Sequence, residues 1–336
     1  MAENNGSLPF VSVFVPARDE EDSIEECLLC LLRQDYAGKF EILMGDDDSS
    51  DNTLNIARRL ETEHPELRVF EIIQSEGPLQ GKQRALASLT EKGGGEVFLF
   101  CDADMCMPAG WIRNMVFFLS RGDADLINGT TCSGNGSLFE RLQALDWLVP
   151  QAFMGVLSRM GLAYTAMGNN MGMNRKVYES VGGYGGIPFS VTEDYELYRH
   201  LKNKGFRLIH FFDRRVLGIT RPSGSVREWF HQHLRWMRGF NQLSIFEKLP
   251  VFANLLLLPL SICSLLSGFS GSFVACFFQL MWLIRFFFIA GGLLRLKKSA
   301  LIYLLPLYEM LYPPLYLSLI LTSVFRKEVN WKRRSF

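Results

Sequence analysis

Two stretches decide the fold: Phe10-Val11-Ser12-Val13-Phe14-Val15-Pro16-Ala17-Arg18-Asp19-Glu20 and Phe40-Glu41-Ile42-Leu43-Met44-Gly45-Asp46-Asp47-Asp48-Ser49-Ser50-Asp51. Each is an apolar run of strand length that breaks directly into acids, and each is followed by a helical pattern, over 23–34 and 53–64. The order then repeats, with strands predicted at 68–73 and 96–101 and a helix at 82–91. Strands alternating with helices predict an α/β fold with a mainly parallel sheet, which binds ligands at the carboxyl ends of its strands. The acids stand at those ends. Residues 123–213 are less regular, with glycine turns at 182–183 and 185–186, and are expected to complete the sheet and build a second subsite.

Charge divides the chain. Residues 251–336 hold nine Lys/Arg against two acids, leaving 26 basic and 33 acidic residues in the first 250. A mildly acidic first part excludes general nucleic-acid binding, and a basic apolar tail suits anionic lipid headgroups. Residues 251–270 and 273–294 are each long enough to cross about 30 Å of hydrocarbon. A tight hairpin is expected at 268–272, returning Arg295, Lys297 and Lys298 to the side of the preceding domain, as the positive-inside rule prefers. A third apolar stretch, 300–325, contains Pro306, Glu309, Pro313 and Pro314 and precedes Arg326, Lys327, Lys332, Arg333 and Arg334. A broken re-entrant hairpin is expected there, since a straight span would carry those charges across. Arg285 and Glu309 are costly in lipid and are expected to face protein, water or headgroups. The division is thus 1–245 for the catalytic-type domain and 246–336 for the anchor. Within the first, 226–243 reads either as an interfacial helix, with Arg227, Arg235 and Arg238 among its aromatics, or as a core helix.

The seven cysteines lack paired zinc spacing, and Cys27-Leu28-Leu29-Cys30 lies in an apolar helical stretch, so buried thiols are expected. No basic and apolar leader is visible at the N-terminus, so the first domain is expected to stay in the cytoplasm.

Asp102-Ala103-Asp104 follows the strand at 96–101, and two carboxylates so spaced can put oxygens on a hard divalent cation. Lys82, beside Gly81 at a helix start, can meet a diphosphate. Each cluster alone also reads as a helix cap or solvated turn, but three adjacent carboxylates at 46–48 repel unless donors offset them. Thr192-Glu193-Asp194 supplies a carboxylate able to take a proton from a hydroxyl. In Gln232-His233-Leu234-Arg235-Trp236, helical spacing brings Gln232, Arg235 and Trp236 near one face, a guanidinium for phosphate beside an indole wall.

Taken in order, Pro-Ala-Arg-Asp-Glu, Asp-Asp-x-Ser-x-Asp, Gly-Lys, Asp-x-Asp, Thr-Glu-Asp and Gln-x-x-Arg-Trp resemble glycosyltransferase family 2, the inverting GT-A enzymes, over residues 8–245. The resemblance implies a GT-A nucleotide-sugar transferase domain followed by the helical membrane region, a UDP-linked sugar donor, Mg²⁺ or Mn²⁺, and one in-line displacement. It implies Pro16, Glu20, Asp47, Lys82, Asp102, Gln232, Arg235 and Trp236 as donor contacts, Asp104 as metal ligand and Asp194 as general base. Glu193, Asn169, Asn170 and Trp236 become the acceptor side. Asp19 stands where the family often has Asn, and Asp48 where it often has Gly. The motif set is shared by ceramide glucosyltransferase-like and polysaccharide synthase-like enzymes. With no membrane helix expected before Pro9, transfer of one sugar to a lipid or lipid-linked acceptor at the cytoplasmic face of a membrane (the inner membrane if bacterial) is favoured. A short processive synthase is the alternative. A non-enzymatic membrane protein would be expected to lose Asp104, Asp194 or Arg235, and all three are present.

Overall fold

The computed structural model describes residues 8–73, 77–134, 136–266, 273–325, 330–331 and 334–335. The chain opens with β1 (Val11–Ala17), α1 (Ile24–Leu32), β2 (Phe40–Asp46), α2 (Thr53–Glu63), β3 (Leu67–Glu71), α3 (Gly81–Thr90) and β4 (Val97–Cys101). It continues through β5 (Met105–Cys106), α4 (Trp111–Ser120), β6 (Leu126–Asn128), β7 (Thr130–Ser133), α5 (Leu138–Arg159), β8 (Asn170–Asn174) and α6 (Arg175–Glu179). Then come α7 (Glu193–Asn203), β9 (Leu208–His210), β10 (Leu217–Thr220), α8 (Val226–Gln242), α9 (Ile245–Leu266), α10 (Phe273–Arg295) and α11 (Leu305–Phe325).

The chain forms two compact units, one of Met1–Cys132 with Met154–Arg221, the other of Ser133–Phe153 with Pro222–Phe336. α8 and the first part of α5 fall in the unit that holds the apolar helices, where the buried side chains of α8 find their partners.

The first unit is built on a seven-stranded sheet in the order β3-β2-β1-β4-β8-β6-β9. β3, β2, β1 and β4 are mutually parallel, β8 runs antiparallel to β4 and β6, and β9 is parallel to β6. The irregular middle of the sequence thus completes the sheet. Its central strands are apolar without alternation because both faces are covered. Val11, Val13 and Val15 of β1 pack into one core with Ile24, Leu28 and Leu31 of α1, and Trp111 and Met115 of α4. Phe14, Phe98 and Phe100 point into a second core with Leu86 and Leu89 of α3 and Leu197 and Leu201 of α7. Register between β1 and β4 ends at Phe14 opposite Phe100, so Pro16 sits where β1 has only β2 beside it. A residue without an amide proton is tolerated at such a position.

A disulfide joins Cys30 of α1 to Cys106 of β5, with Cα atoms 5.5 Å apart, within bonding reach. This corrects the expectation of thiols throughout, since the partner lies 76 residues away and not at Cys27. Cys27, Cys101 and Cys132 are buried thiols.

In the second unit, serines and glutamates three apart start α8 and α9. Ser225 Oγ accepts from the Glu228 amide, and Ser244 and Glu247 form a reciprocal capping box. Among the described residues, two helical segments, Phe273–Arg295 and Ser299–Ser323, are long and apolar enough to cross a membrane. A third candidate, Ile245–Ala253 with Leu255–Leu266, is bent by 48°. The expected break is therefore in the wrong segment: 300–325 is helical through Pro313 and Pro314, and the first apolar segment is the broken one. Pro306 falls in the first turn of α11, where a missing amide costs little. The hairpin expected at 268–272 lies outside the described residues. Arg285 and Glu309, costly alone in lipid, form an ion pair, and Trp282 Nε1 donates to Glu309 Oε2 at 2.6 Å.

Candidate functional site

The strand-end loops after β1 and β2 are held together by their own acids. Asp19 Oδ1 accepts from the Ser50 amide at 2.8 Å, Asp51 Oδ2 from the Glu21 amide at 3.1 Å, and Glu21 Oε2 from the Asn52 amide at 3.0 Å. Within the triplet at 46–48, the Ser49 amide donates to Asp46 Oδ2 at 3.0 Å, Arg84 pairs with Asp47 and Arg18 with Asp48, which offsets the repulsion that the sequence shows. Arg84 Nη2 lies 2.5 Å from Asp47 Oδ1, and Arg18 Nη1 donates to the Asp47 carbonyl. Asp47 is buried, while Glu20 is half-buried and accepts from Ser23 Oγ at 2.9 Å. Asp19 and Asp48 have φ of 48° and 63°. The two departures from the family pattern thus fall on left-handed backbone, where Asn and Gly are most at ease and Asp is tolerated.

Lys82 is the centre of the second cluster. Its Nζ is 2.6 Å from Asp102 Oδ1 and 3.0 Å from Glu193 Oε1. Burial alone would lower its pKa, but the carboxylates of Asp102, Glu193 and Asp194 outweigh burial and hold the ammonium above its ordinary value. Glu193 is buried, which raises its pKa; neighbouring Asp194 pushes the same way and Lys82 opposes both. Asp194 is more open than Glu193, and its carboxylate is clamped by two amides: Gly168 donates to Oδ2 at 2.7 Å and Tyr195 to Oδ1 at 2.8 Å. A Cβ on residue 168 would stand 3.1 Å from the Asp194 Cβ and 3.3 Å from its Oδ2, so the approach asks for glycine. Glu193 and Asp194 also open α7, where the helix dipole favours anions.

Asp104 is held on the other side of the Asp-x-Asp turn. Thr220 Oγ1 donates to its Oδ2 at 2.9 Å, and the Arg221 amide to its carbonyl at 3.1 Å. Among the described residues, no three His, Cys, Asp or Glu side chains converge into a preformed cage. Two carboxylate oxygens with the rest of the shell from water and ligand phosphates is an ordinary Mg²⁺ arrangement, so the donor set fits such an ion.

Asn169 and Asn170 part company. Asn170 is fully buried, accepts from Trp111 Nε1 at 2.8 Å and donates to the carbonyls of Thr130 and Val216 at 2.9 and 3.0 Å. Its side chain thus joins strands inside the core. Asn169 lies beside Thr131 at 3.4 Å.

Gln232, Arg235 and Trp236 belong to the second unit. Gln232 Oε1 accepts from Ser223 Oγ at 3.3 Å, and Trp236 meets Trp147 edge to face with ring centroids 5.0 Å apart. On α8, Trp229, His233, Leu234 and Met237 are buried, so the helix packs as a core element of that unit.

Sequence reasoning missed Arg84, Thr220 and Gln83. Gln83 donates to the carbonyls of Tyr184 and Pro188 and accepts from the Ser190 amide, holding the segment that leads to Glu193. Its partners lie more than a hundred residues away, and nothing local in the sequence signals the contact.

A family profile described as glycosyl transferase family 21 matches residues 1–336. Glycosyltransferase AglE of Haloferax volcanii is 30% identical over 52% of this chain and 56% of its own length. Beta-monoglucosyldiacylglycerol synthase of Trichormus variabilis is 26% identical over 70% of this chain and 50% of its own. The chain thus spans little more than half the length of these relatives. A solved mannosyltransferase, PcManGT from Pyrobaculum calidifontis in complex with GDP-Man and Mn²⁺, superposes with a TM-score of 0.54 and 20% identity over 92% of this chain and 88% of that one. That likeness is one of fold. The matched family differs in number from the one the motifs resemble, and its fold is GT-A-like in both accounts.

Proposed function

The chain belongs to glycosyl transferase family 21, and from that premise we propose that it moves a sugar from a nucleoside diphosphate sugar, UDP-linked by preference, to a lipid or lipid-linked acceptor at the cytoplasmic face of a membrane. The observation that carries this reading is the convergence of Lys82, Asp102, Glu193 and Asp194. A buried cation stands among carboxylates at the carboxyl end of a parallel sheet, where such folds bind nucleotides. The Trichormus variabilis relative, a beta-monoglucosyldiacylglycerol synthase, supports the lipid acceptor, and the apolar helices of the second unit support membrane residence.

In this reading Pro16, Glu20 and Asp47 line the nucleoside and Lys82 meets the diphosphate, and Gln232, Arg235 and Trp236 are the donor contacts that the motif resemblance implies. Asn169, Asn170 and Glu193 take acceptor-side roles, and the same resemblance implies one for Trp236. Asp194, fixed by the Gly168 and Tyr195 amides, takes the proton of the acceptor hydroxyl as its oxygen bonds to the sugar's anomeric carbon. The bond from that carbon to the diphosphate breaks on the opposite side, and configuration inverts. Glu193 is the poorer base because it is buried and tied to Lys82. The departing diphosphate gains negative charge, which Lys82 is placed to offset. Asp102 and Asp104 would hold Mg²⁺ or Mn²⁺, whose charge would add to that stabilisation.

The test is transfer itself. Detergent-purified protein is incubated with Mn²⁺ or Mg²⁺, a panel of UDP-, GDP- and dTDP-sugars and extracted lipids, with Asp194→Asn as control, and products are followed by mass spectrometry. One sugar added to a lipid, absent with the variant, is the expected result. A ladder of additions identifies a short processive synthase, and no nucleotide release with any donor overturns the reading.

A further inference from the structure

Asp146 on α5 is 5% exposed, and three side chains of the second unit converge on it. Trp229 Nε1 donates to Oδ2 at 2.9 Å, and the Tyr316 hydroxyl donates to Oδ1 at 2.7 Å. His233 Nε2 approaches Oδ2 at 2.8 Å without the alignment of a hydrogen bond, so that contact acts through charge. The other ring nitrogen of His233, Nδ1, is 2.9 Å from the Trp229 carbonyl oxygen, which can only accept. Nδ1 therefore carries a proton, and a bare Nε2 would set a lone pair against a carboxylate. The arrangement is satisfied when both ring nitrogens are protonated and the imidazolium is the counter-charge of Asp146.

A buried carboxylate is costly unless paired and hydrogen-bonded, which makes this geometry hard to deform. Trp229 and His233 are four apart on α8, one above the other on the face toward Asp146. Turning the helix by a single residue would swing both away. Trp236 continues the same stripe, edge to face with His233 at 4.6 Å between centroids and with Trp147, the neighbour of Asp146, at 5.0 Å. Gln232 and Arg235 occupy the adjoining face, so their direction follows from the same rotation. Tyr316 belongs to α11, part of a segment long and apolar enough to cross a membrane.

We propose that Asp146 is a positioning residue: it fixes the rotation of α8, and hence the direction of Gln232, Arg235 and Trp236, and through Tyr316 it ties that setting to a membrane helix. The functional half rests on the reading of Arg235 and Trp236 given above. Asp146 touches no substrate in this scheme and acts through the helix.

The full chain in detergent is tested in two ways. Near-ultraviolet circular dichroism reads the coupled indoles of Trp147 and Trp236, identified as the signal that Trp147→Phe and Trp236→Phe each remove. Calorimetric titration with UDP and with GDP, each with Mn²⁺, reads nucleotide binding. Asp146→Asn is expected to lose the indole couplet and to weaken nucleotide about tenfold, the scale of one charged hydrogen bond. Tyr316→Phe is expected to shift both in the same direction by less. Arg235→Ala is expected to weaken nucleotide while keeping the couplet. Should Asp146→Asn fail to fold, Asp146→Asn with His233→Gln removes both charges and retains polar partners, and is read in the same way. A couplet unchanged in these variants overturns the positioning role, as does nucleotide binding unchanged by Asp146→Asn but weakened by Arg235→Ala. Nucleotide binding unchanged by Arg235→Ala overturns instead the reading of Arg235 on which the functional half stands.

Discussion

Lys82 Nζ stands 2.6 Å from Asp102 Oδ1, so one side chain predicted to meet the donor neutralises another before any ligand arrives. The same ammonium serves Glu193 at 3.0 Å. Lys82→Met leaves two carboxylates without their cation and is expected to destabilise the first unit by about 3 kcal/mol, the low end for breaking a buried pair because Asp102 remains a third exposed. Adding Glu193→Gln should return part of that loss. Urea unfolding of the two variants measures it, and a single variant as stable as wild type would remove Lys82 from the centre of the cluster.

Gly168→Ala tests the clamp on Asp194. The new methyl falls 3.1 Å from the Asp194 Cβ and 3.3 Å from its Oδ2, close enough to press on the clamped side chain. Turnover should drop by about tenfold to a hundredfold, as expected when a general base is misplaced, with the apparent KM for the nucleotide sugar nearly unchanged. A variant with wild-type turnover would show that the position of Asp194 does not limit the reaction.

Thr220→Val removes the hydroxyl that orients Asp104 at 2.9 Å. Loss of one such bond costs about 1 kcal/mol, or roughly fivefold in an equilibrium. The Mn²⁺ concentration giving half-maximal transfer should rise by that factor, and chelation with EDTA should abolish transfer in wild type. Metal response identical in the two proteins would detach Thr220 from the metal site.

His210, in β9, is 2% exposed, and burial lowers its pKa to about 4, a contact with the Thr165 backbone opposing. The unfolded chain, with an ordinary value near 6.5, binds the proton first as pH falls. The stability that neutral His210 contributes is therefore complete above pH about 6.5 and is lost progressively down to pH about 4, amounting to roughly 3 kcal/mol. Denaturant midpoints at several pH values in that window, for wild type and His210→Phe, should show a shallower slope in the variant. Equal slopes would assign the acid sensitivity elsewhere.

The four parallel strands were legible because apolar runs covered on both faces need no partner to be recognised, and their acids announced the site at their ends. Asp19 and Asp48 show how far a local reading reaches. They stood out as substitutions for Asn and Gly, and the backbone explains why, with φ of 48° and 63°. A Gly at residue 48 would adopt that conformation with less strain. Asn170 shows where a local reading stops: nothing in its motif signals that its side-chain amide bonds Trp111, Thr130 and Val216 inside the fold.

Sequence alone determined what each segment prefers: strand or helix, apolar or charged, and the presence of carboxylates, a lysine and an Arg-Trp pair in order. Those properties are local, fixed by side-chain chemistry and period. Only the tertiary structure decided which charges cancel. Arg84 met Asp47, Thr220 met Asp104, Cys30 met Cys106, Arg285 met Glu309 and Asp146 met His233 across separations that no spacing rule spans. The physical reason is that a buried charge or donor is satisfied by whatever the packed chain brings within about 3 Å, and that neighbour is chosen by the fold as a whole.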